Sequence, residues 1–285
     1  MTFAQALFMG LLQGATELFP VSSLGHAVIV PSLLHWSFKP SDPSFVPFLT
    51  LLHIGTATAL LIFYRNEWIA IIRGFFTAAF SGRMRNDHER LAMLLLTGTI
   101  PAAILGVFFE NRIKALFGSP YVAAAFLIVN GVLMLGFEQL RRRAERRGTR
   151  VEQEQEFAEA ERISFRAAAI VGACQALAFI PGLSRSGVTI GGGLIAGLRH
   201  QEAARFSFLL ATPTILGAGI VEVPQLFVKG VPVGQYVLAA VLAAIAAFVS
   251  ARFLIRYFRS GRLDPYGWYC IGAGFVSLAL LRFGL

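Results

Sequence analysis

The sequence predicts an all-α polytopic integral membrane protein, built as an inverted-topology repeat with two re-entrant helical hairpins and about six full transmembrane helices. Composition is the first reason: 56% of the 285 residues are hydrophobic and 14% are charged, about half the charged fraction of a soluble domain. Long apolar runs recur along the chain, as membrane helices require. Two other apolar stretches each contain one isolated charge and resemble each other, which predicts the repeat.

Six apolar runs are long enough, or nearly so, to cross a hydrocarbon core of about 30 Å as helices. They are Phe45–Tyr64, Leu91–Phe109, Pro120–Phe137, Phe206–Val221, Val231–Ala251 and Pro265–Leu281. The run Trp68–Phe80 is shorter and contains Arg73. We therefore expect it to be interfacial or only partly inserted.

The stretches 1–38 and 167–198 are predicted to be the hairpins. The only full side-chain charge in the first is Glu17, shortly before Pro20, and in the second it is Arg185, shortly after Pro181. Each stretch is too long for one span and too short for two spans of about 20 residues. Two short helices joined by a break would fit, provided that protein or a wet cavity surrounds the break. The alternative is a plain helical bundle with two kinked helices.

The two hairpins also share a pattern that indicates duplication. In both hairpins a Gly-x-x-Gln segment precedes a turn that contains proline, serines and a glycine. The two segments are Gly10-Leu-Leu-Gln13 and Gly172-Ala-Cys-Gln175. We therefore divide the chain into a first repeat at 1–138, an Arg-rich loop at 139–165 and a second repeat at 166–285.

The net charge of +9 comes mainly from arginines in short loops between the apolar runs. There they set topology and meet lipid headgroups, so nucleic-acid binding is excluded from the expected functions. Eight arginines lie between Arg141 and Arg166, which places loop 139–165 in the cytoplasm. With this orientation the first hairpin enters the membrane from outside and the second from inside.

Glu17 and the polar residues that follow it are the first candidate site. A carboxylate in an apolar run costs about 2.5–3.5 kcal/mol on insertion scales, so it is normally paired or functional. Gln13 lies one helical turn earlier, on the same face. Ser22, Ser23 and His26 come where a second short helix begins, and Ser23 and His26 are spaced as a hydroxyl and its general base. The alternatives are a carboxylate bonded to helix-end amides, and a serine cap beside a histidine that bonds elsewhere.

The second candidate site surrounds Arg185. Its planar fork suits two oxygens of a phosphate, and further donors are expected from Ser184, Ser186, Thr189 and nearby glycine amides. The alternative is a structural ion pair between Arg185 and Glu17, which is compatible with a phosphate site in the empty state. His53 also lies inside an apolar run, where lining the same cavity and helix packing are equally expected.

Two signatures resemble those of a known family. The segment Gln13-Gly-Ala-Thr-Glu17, followed by Pro20-Val-Ser-Ser-Leu-Gly-His26, is similar to its (Glu/Gln)-x-x-x-Glu motif and the Ser-Ser-x-Gly-His that follows. The segment Pro181-Gly-Leu-Ser-Arg-Ser-Gly-Val-Thr189 is similar to its Pro-Gly-x-Ser-Arg-Ser-x-x-Thr motif. The family is that of the undecaprenyl-pyrophosphate phosphatases of the bacitracin-resistance type, and the resemblance covers essentially the whole chain.

The resemblance implies hydrolysis of undecaprenyl diphosphate to the monophosphate, in the bacterial cytoplasmic membrane, at a site that faces outward. It implies a catalytic set of Glu17, Ser23, His26 and Arg185. The expected phosphate contacts are Ser22, Ser184, Arg185, Ser186 and Thr189. It also implies a divalent cation, Mg²⁺ or Ca²⁺, on Glu17. Gln13 stands where many members have a glutamate, and its amide oxygen would bind a cation more weakly.

The expected partners are a polyprenyl diphosphate lipid and membrane lipids, and bacitracin would compete indirectly by binding that substrate. A homodimer is one possible assembly. The alternative function is an inverted-repeat transporter or a flippase of a lipid phosphate, which architecture alone would favour. The Ser23 and His26 pair beside a phosphate clamp favours the enzyme, because a carrier needs no hydroxyl and imidazole there.

Overall fold

A computed structural model describes residues 1–40, 42–108, 118–147, 159–228 and 231–284. These residues form twelve α-helices joined by short connections, with two short 3-10 helices at Ala160–Arg162 and Ala176–Phe179. In chain order the α-helices are α1 (Phe3–Thr16), α2 (Ser23–Leu33), α3 (Phe45–Phe63), α4 (Arg65–Ser81), α5 (Asp87–Phe108), α6 (Pro120–Arg147), α7 (Phe165–Gln175), α8 (Arg185–Ile195), α9 (His200–Glu222), α10 (Pro224–Val228), α11 (Val233–Tyr257) and α12 (Asp264–Phe283).

The described chain has six helices long and apolar enough to cross a membrane: α3, α5, α6, α9, α11 and α12. Each overlaps most of one of the six apolar runs recognised in the sequence, so the predicted all-α polytopic membrane fold is confirmed. The helix α4 is 17 residues long and begins with Arg65, Asn66 and Glu67. It is not among the six, as its sequence predicted.

One helix extends into the predicted Arg-rich loop, while the predicted division into two repeats and a loop stays a prediction. Helix α6 continues to Arg147, so residues 139–147 of the predicted Arg-rich loop are helical. The physical reason is that arginine is a good helix former, and a long membrane helix continues into the interface where its cationic side chains reach water. Residues 148–158 of that loop lie outside the described residues.

Both predicted hairpins consist of two short helices separated by a break. In the first, α1 and α2 flank residues 17–22; in the second, α7 and a 3-10 helix are separated from α8 by residues 180–184. The inner helices α2 and α8 have 11 residues each, about 17 Å of helix, which is too short to cross the hydrocarbon core. That each hairpin enters and leaves on one side of the membrane stays a prediction.

The hairpins pack reciprocally. Helix α1 of the first hairpin lies mainly against α11, and α7 of the second lies mainly against α5. Both contacts need glycine: a Cβ at Gly10 would lie 2.2 Å from the carbonyl oxygen of Ala239, and one at Gly172 would lie 2.0 Å from that of Gly98. Small residues allow such close approach of membrane helices. Each hairpin is therefore anchored by a helix from the other half of the chain.

A buried ion cluster around Arg205 ties together one end of the bundle. The guanidinium of Arg205 binds the carboxylates of Glu67, Glu161 and Glu202, the last at 3.0 Å. Burial alone would raise the pKa of Glu161, but its hydrogen bond to Arg205 holds that pKa below the usual range. Arg90 adds hydrogen bonds to the carbonyl oxygen of Glu161 at 2.6 Å and to that of Ile163 at 3.0 Å. The cluster connects α4, α5 and α9 to the 3-10 turn before α7.

Candidate active site

The two breaks meet at one cavity of about 190 Å³, which we call the central cavity. It lies between the hairpins and is closed by α3, α5 and α9. Its polar lining residues come mostly from the positions that the sequence singled out: Glu17, Ser22, Ser23, Thr50, His53, Gln175, Ser184, Arg185 and Thr214. The remaining lining is apolar. A polar patch in an apolar, water-poor wall is the setting in which electrostatic interactions are strongest.

An ion pair between the two hairpins stands at the centre. The Nη2 of Arg185 donates to Oε1 of Glu17 at 2.6 Å, and its Nη1 donates to the carbonyl oxygen of Ser207 at 3.3 Å. Both charged side chains are largely buried. The predicted structural ion pair is therefore present. Arg185 lines the cavity, and its guanidinium has five N–H donors, of which two are in these bonds.

The second carboxylate oxygen of Glu17 accepts two further hydrogen bonds and has a histidine beside it. The donors to Oε2 are Oγ of Ser23 at 2.5 Å and Nε2 of Gln13 at 2.9 Å, and Nε2 of His53 lies 3.1 Å from the same oxygen. An ionised carboxylate accepts at both oxygens and donates nothing, so this arrangement suits the charged form. The short bond from Ser23 is in the range of a charge-assisted hydroxyl–carboxylate bond.

Each short inner helix begins at the cavity with a serine cap. The hydroxyl of Ser22 accepts from the backbone N–H of Gly25, and that of Ser184 accepts from the N–H of Gly187, both at 3.1 Å. Ser22 has a φ of 66°, a left-handed conformation that is uncommon outside glycine. The first N–H groups of a helix have no intrahelical partner and favour anions. Two helix N-termini therefore face one cavity.

The residues predicted to contact phosphate fall into two groups in the structure. Ser22, Ser184 and Arg185 line the central cavity. Ser186 instead donates to the carbonyl oxygen of Phe19 at 2.9 Å, and the Thr189 hydroxyl bonds that of Ser207 at 2.6 Å. These two side chains hold α8 against the first hairpin and against α9. Their predicted role as phosphate contacts stays a prediction, while their packing role is visible.

His26 does not face the central cavity. Its Nδ1 lies 2.7 Å from the carbonyl oxygen of Ser22, and its Nε2 lies 2.8 Å from the hydroxyl of Tyr269, whose ring stacks on the imidazole. Both ring nitrogens therefore have partners other than Ser23. The sequence spacing of Ser23 and His26 predicted a hydroxyl and its base, but the Ser23 hydroxyl donates to Glu17 instead.

Two residues at the site were not in the predicted set. His53 lies on α3 with its Nε2 on Glu17; the signal was a histidine inside an apolar run, which the sequence alone could not assign. Asn130 lies on α6 and is fully buried. Its Nδ2 donates to the carbonyl oxygen of Pro20 at 2.9 Å, and its Oδ1 accepts from the N–H of Ser184 at 2.9 Å. One amide thus bonds the breaks of both hairpins.

The residues at the cavity fit a divalent cation only in part. In the described chain, no three His, Cys, Asp or Glu side chains are grouped as a metal site. Glu17 supplies one carboxylate, and beside it the buried Oε1 of Gln13 has no hydrogen-bond partner. Mg²⁺ sites commonly use one or two carboxylates, water and substrate phosphates. The chain thus offers two oxygen ligands, and substrate would have to supply others.

This fold and this site define a class of protein: a polytopic helical membrane protein that gathers a carboxylate, a hydroxyl and a guanidinium between two broken hairpins. The chain belongs to the family of the bacitracin resistance protein BacA, whose model matches residues 6–276. It is 46% identical over 292 residues to the undecaprenyl-diphosphatase of Acidiphilium cryptum, with 100% of both chains covered. It is 47% identical over 287 residues to that of Gluconacetobacter diazotrophicus, covering 99% of this chain and 98% of the relative. Undecaprenyl-diphosphatase 1 of Burkholderia pseudomallei is 46% identical over 279 residues, covering 97% and 96%.

Proposed function

We propose that this chain is an undecaprenyl-diphosphatase, which hydrolyses undecaprenyl diphosphate to undecaprenyl phosphate and inorganic phosphate and so recycles the lipid carrier for cell-wall synthesis. One observation supports this most strongly: Ser23, Glu17 and Arg185 meet in one buried cavity. The full-length relatives named for this activity support the same function. The transporter or flippase alternative gives no reason for a hydroxyl held 2.5 Å from a buried carboxylate.

The diphosphate is bound by the charged side chain of Arg185 and by backbone N–H groups. Arg185 turns part of its donor fork from Glu17 to the phosphate oxygens, which is an exchange of one anionic partner for another. The first N–H groups of α2 and α8 add donors, and their helix dipoles favour negative charge at the same place. Ser22 and Ser184 set these two helix starts. The apolar remainder of the cavity lining suits a substrate whose prenyl chain stays in the bilayer.

Ser23 is the nucleophile in this proposal. Its Oγ attacks the terminal phosphorus, the bond from that phosphorus to the bridging oxygen breaks, and undecaprenyl phosphate leaves. The Ser23 proton passes to Oε2 of Glu17, to which the hydroxyl already donates. Water then attacks the phosphorus, the bond from phosphorus to Oγ of Ser23 breaks, and the proton on Glu17 returns to Oγ, so that inorganic phosphate leaves and both residues are restored. Phosphoryl transfer requires positioning and charge stabilisation above all, and Arg185 supplies much of the latter.

His26 has a different role in this mechanism from that of general base, which its spacing from Ser23 predicted. Glu17, and not His26, accepts the Ser23 proton, because both His26 nitrogens are bonded elsewhere. His26 also bonds the carbonyl of the cap residue Ser22, so it acts on the start of α2. A rival scheme uses water or His26 itself as the nucleophile. Trapping phosphoserine at residue 23 in quenched enzyme discriminates between them.

A divalent cation, Mg²⁺ or Ca²⁺, is part of the proposal. Glu17 and the unpartnered Oε1 of Gln13 would hold it, together with substrate oxygens. Such a cation would offset the diphosphate charge in a site of low dielectric constant. The amide of Gln13 is a weaker ligand than a carboxylate. We therefore expect a cation requirement that is met only at high concentrations.

The protein is proposed to act in the bacterial cytoplasmic membrane, with the central cavity open toward the outer side and the Arg-rich end of α6 in the cytoplasm. The arginine distribution supports this orientation. Bacitracin would slow the reaction without contacting the protein, by binding the lipid diphosphate.

Phosphate release from farnesyl diphosphate by the detergent-purified protein tests the proposal. The assay is run with Mg²⁺, with Ca²⁺ and with chelator, beside Arg185→Ala and the matched surface variant Arg73→Ala. We expect cation-dependent release that Arg185→Ala lowers about a thousandfold, in line with an arginine that stabilises phosphoryl transfer. Arg73→Ala should retain wild-type activity. No release by folded wild type with farnesyl or undecaprenyl diphosphate would favour the transporter instead.

A further inference from the structure

His53 reaches the central cavity from a helix that belongs to neither hairpin. It lies in the middle of α3, and its side chain is 23% exposed, toward the cavity that it lines. Its Nδ1 is 2.7 Å from the carbonyl oxygen of Leu49, one turn earlier. A carbonyl oxygen only accepts, so Nδ1 carries a hydrogen and donates it. This bond turns the other ring nitrogen toward Glu17.

The Nε2 of His53 lies 3.1 Å from Oε2 of Glu17. This places a polar ring nitrogen within hydrogen-bonding distance of the carboxylate. The same Oε2 accepts the Ser23 hydroxyl. The position of this single oxygen therefore determines where the Ser23 hydroxyl points and where its proton goes.

Substrate binding makes this contact more important. In the structure Arg185 holds Oε1 of Glu17, whereas His53 and Gln13 contact Oε2. Once Arg185 turns to the phosphate oxygens, the carboxylate loses its strongest partner. The contacts of His53 and Gln13 with Oε2 then remain, and they keep this oxygen on Ser23.

We infer that His53 is a positioning residue for the reaction: it holds Glu17 as the acceptor of the Ser23 proton while Arg185 is engaged with the diphosphate. This inference rests on the proposed function. It differs from a packing role, because a packing residue needs the volume of the side chain and not a donor aimed at Glu17. The role acts through Glu17 and not on the substrate, so its loss lowers kcat more than it raises KM.

Four variants separate these roles in the farnesyl diphosphate assay with Mg²⁺. His53→Leu keeps apolar volume without a donor, and His53→Gln keeps an amide N–H at about the reach of Nε2. His53→Asn carries the same amide on a shorter side chain that does not reach Glu17. Thr58→Val changes an exposed position of the same helix, and we expect it to behave as wild type.

We expect kcat to fall about ten- to a hundredfold in His53→Leu and His53→Asn, the usual effect of losing a hydrogen bond to a charged group. His53→Gln should recover kcat to within about threefold of wild type, with KM nearly constant throughout. A kcat for His53→Leu within about twofold of wild type would overturn the inference. So would a loss seen mainly in KM.

Folding is checked by size-exclusion profile and thermal midpoint. If His53→Leu does not purify as a folded protein, the two amide variants decide the question, since both are polar and differ only in reach. Equal kcat in His53→Gln and His53→Asn overturns the inference. Failure of the proposed function is distinct: it shows as no phosphate release by wild type.

Discussion

The two hairpins use one backbone arrangement for different chemistry. In each, an outer helix ends, a break follows, and a serine caps an inner helix of 11 residues whose first turn lies at the central cavity. The residue after the cap is Ser23 in the first hairpin and Arg185 in the second. A second pair of positions differs as well. Four residues after the matching glutamines Gln13 and Gln175, the first hairpin has Glu17 and the second has Phe179.

This difference explains why one site needs both halves. Two copies of the first hairpin would put two carboxylates together, and two copies of the second would put two arginines together, and like charges at close range are unfavourable. One of each forms the ion pair of Glu17 and Arg185. The shared serine caps preserve the anion-attracting helix starts in both halves. The two hairpins thus share a frame of serine-capped helices and differ at the few positions that hold Glu17, Ser23 and Arg185.

The largest expected loss of activity comes from a comparison of the cap residue Ser22 with the next residue, Ser23. Ser23→Ala removes the proposed nucleophile, so phosphate release should fall about a thousandfold or more at unchanged thermal stability. Ser22→Ala removes a helix cap, which costs about 1 kcal/mol of stability, and should lower activity far less. Rates and melting midpoints of the two variants are measured side by side. Near-equal activity of Ser23→Ala and wild type would exclude Ser23 as the nucleophile.

An intermediate effect is expected from the amide that joins the two breaks. Asn130→Leu leaves the carbonyl of Pro20 and the N–H of Ser184 without this partner, at a cost of about 1–3 kcal/mol for each buried group. Asn130→Asp keeps an acceptor for Ser184 but cannot donate to Pro20, so it should lie between Asn130→Leu and wild type. The measurements are the thermal midpoint and kcat.

Asn66→Asp, at an exposed position of α4, is the matched control for this series. If the hairpins are held in register by Asn130, kcat of the folded Asn130→Asp protein should drop while its KM stays near that of wild type. Full activity of Asn130→Leu would show that the two breaks meet correctly without this amide.

The smallest expected effect lies at the ion cluster far from the central cavity. The pKa of Glu161 is lower in the folded protein than in the unfolded chain, so its contribution to stability is full above the unfolded value of about 4.3 and is lost as pH falls through the folded pKa. At pH values below about 4.3 the melting midpoint should therefore fall as the pH is lowered. The fall should be less steep in Glu161→Gln.

Glu159→Gln, at an exposed neighbouring carboxylate, is the control for this pH series and should follow wild type. Activity at pH 7 should be unchanged in both variants, because neither residue lines the cavity. Identical pH dependence in Glu161→Gln and wild type would contradict the role of the cluster in stability.

Much of the fold could be predicted from the sequence because hydrophobicity acts locally along the chain. A run of apolar residues such as Val233–Tyr257 must form its own hydrogen bonds inside a bilayer, and only a helix allows this. The isolated charges Glu17 and Arg185, each near a proline, likewise predicted two interrupted segments. The end of α6 was less predictable, since its arginines suit a helix as well as a loop.

The partners of the site residues were not predictable in the same way. Local spacing put His26 near Ser23, but the direction of a side chain depends on what packs around it, and Tyr269 lies 243 positions away in the chain. His53 and Asn130 gave only the signal of a polar residue in an apolar run. In the structure His53, on α3, lies beside Glu17. Asn130, on α6, bonds Pro20 in the first break and Ser184 in the second.

The sequence by itself determined that this chain is a helical membrane protein, which segments are broken, and which residue types are available for phosphate chemistry. Only the tertiary structure decided that the Ser23 hydroxyl donates to Glu17, and that His53 lies beside this carboxylate. The physical reason is that hydrophobic burial and helix formation follow from neighbours in sequence, whereas a hydrogen-bonded site depends on distances of a few tenths of an ångström between helices that are remote in sequence.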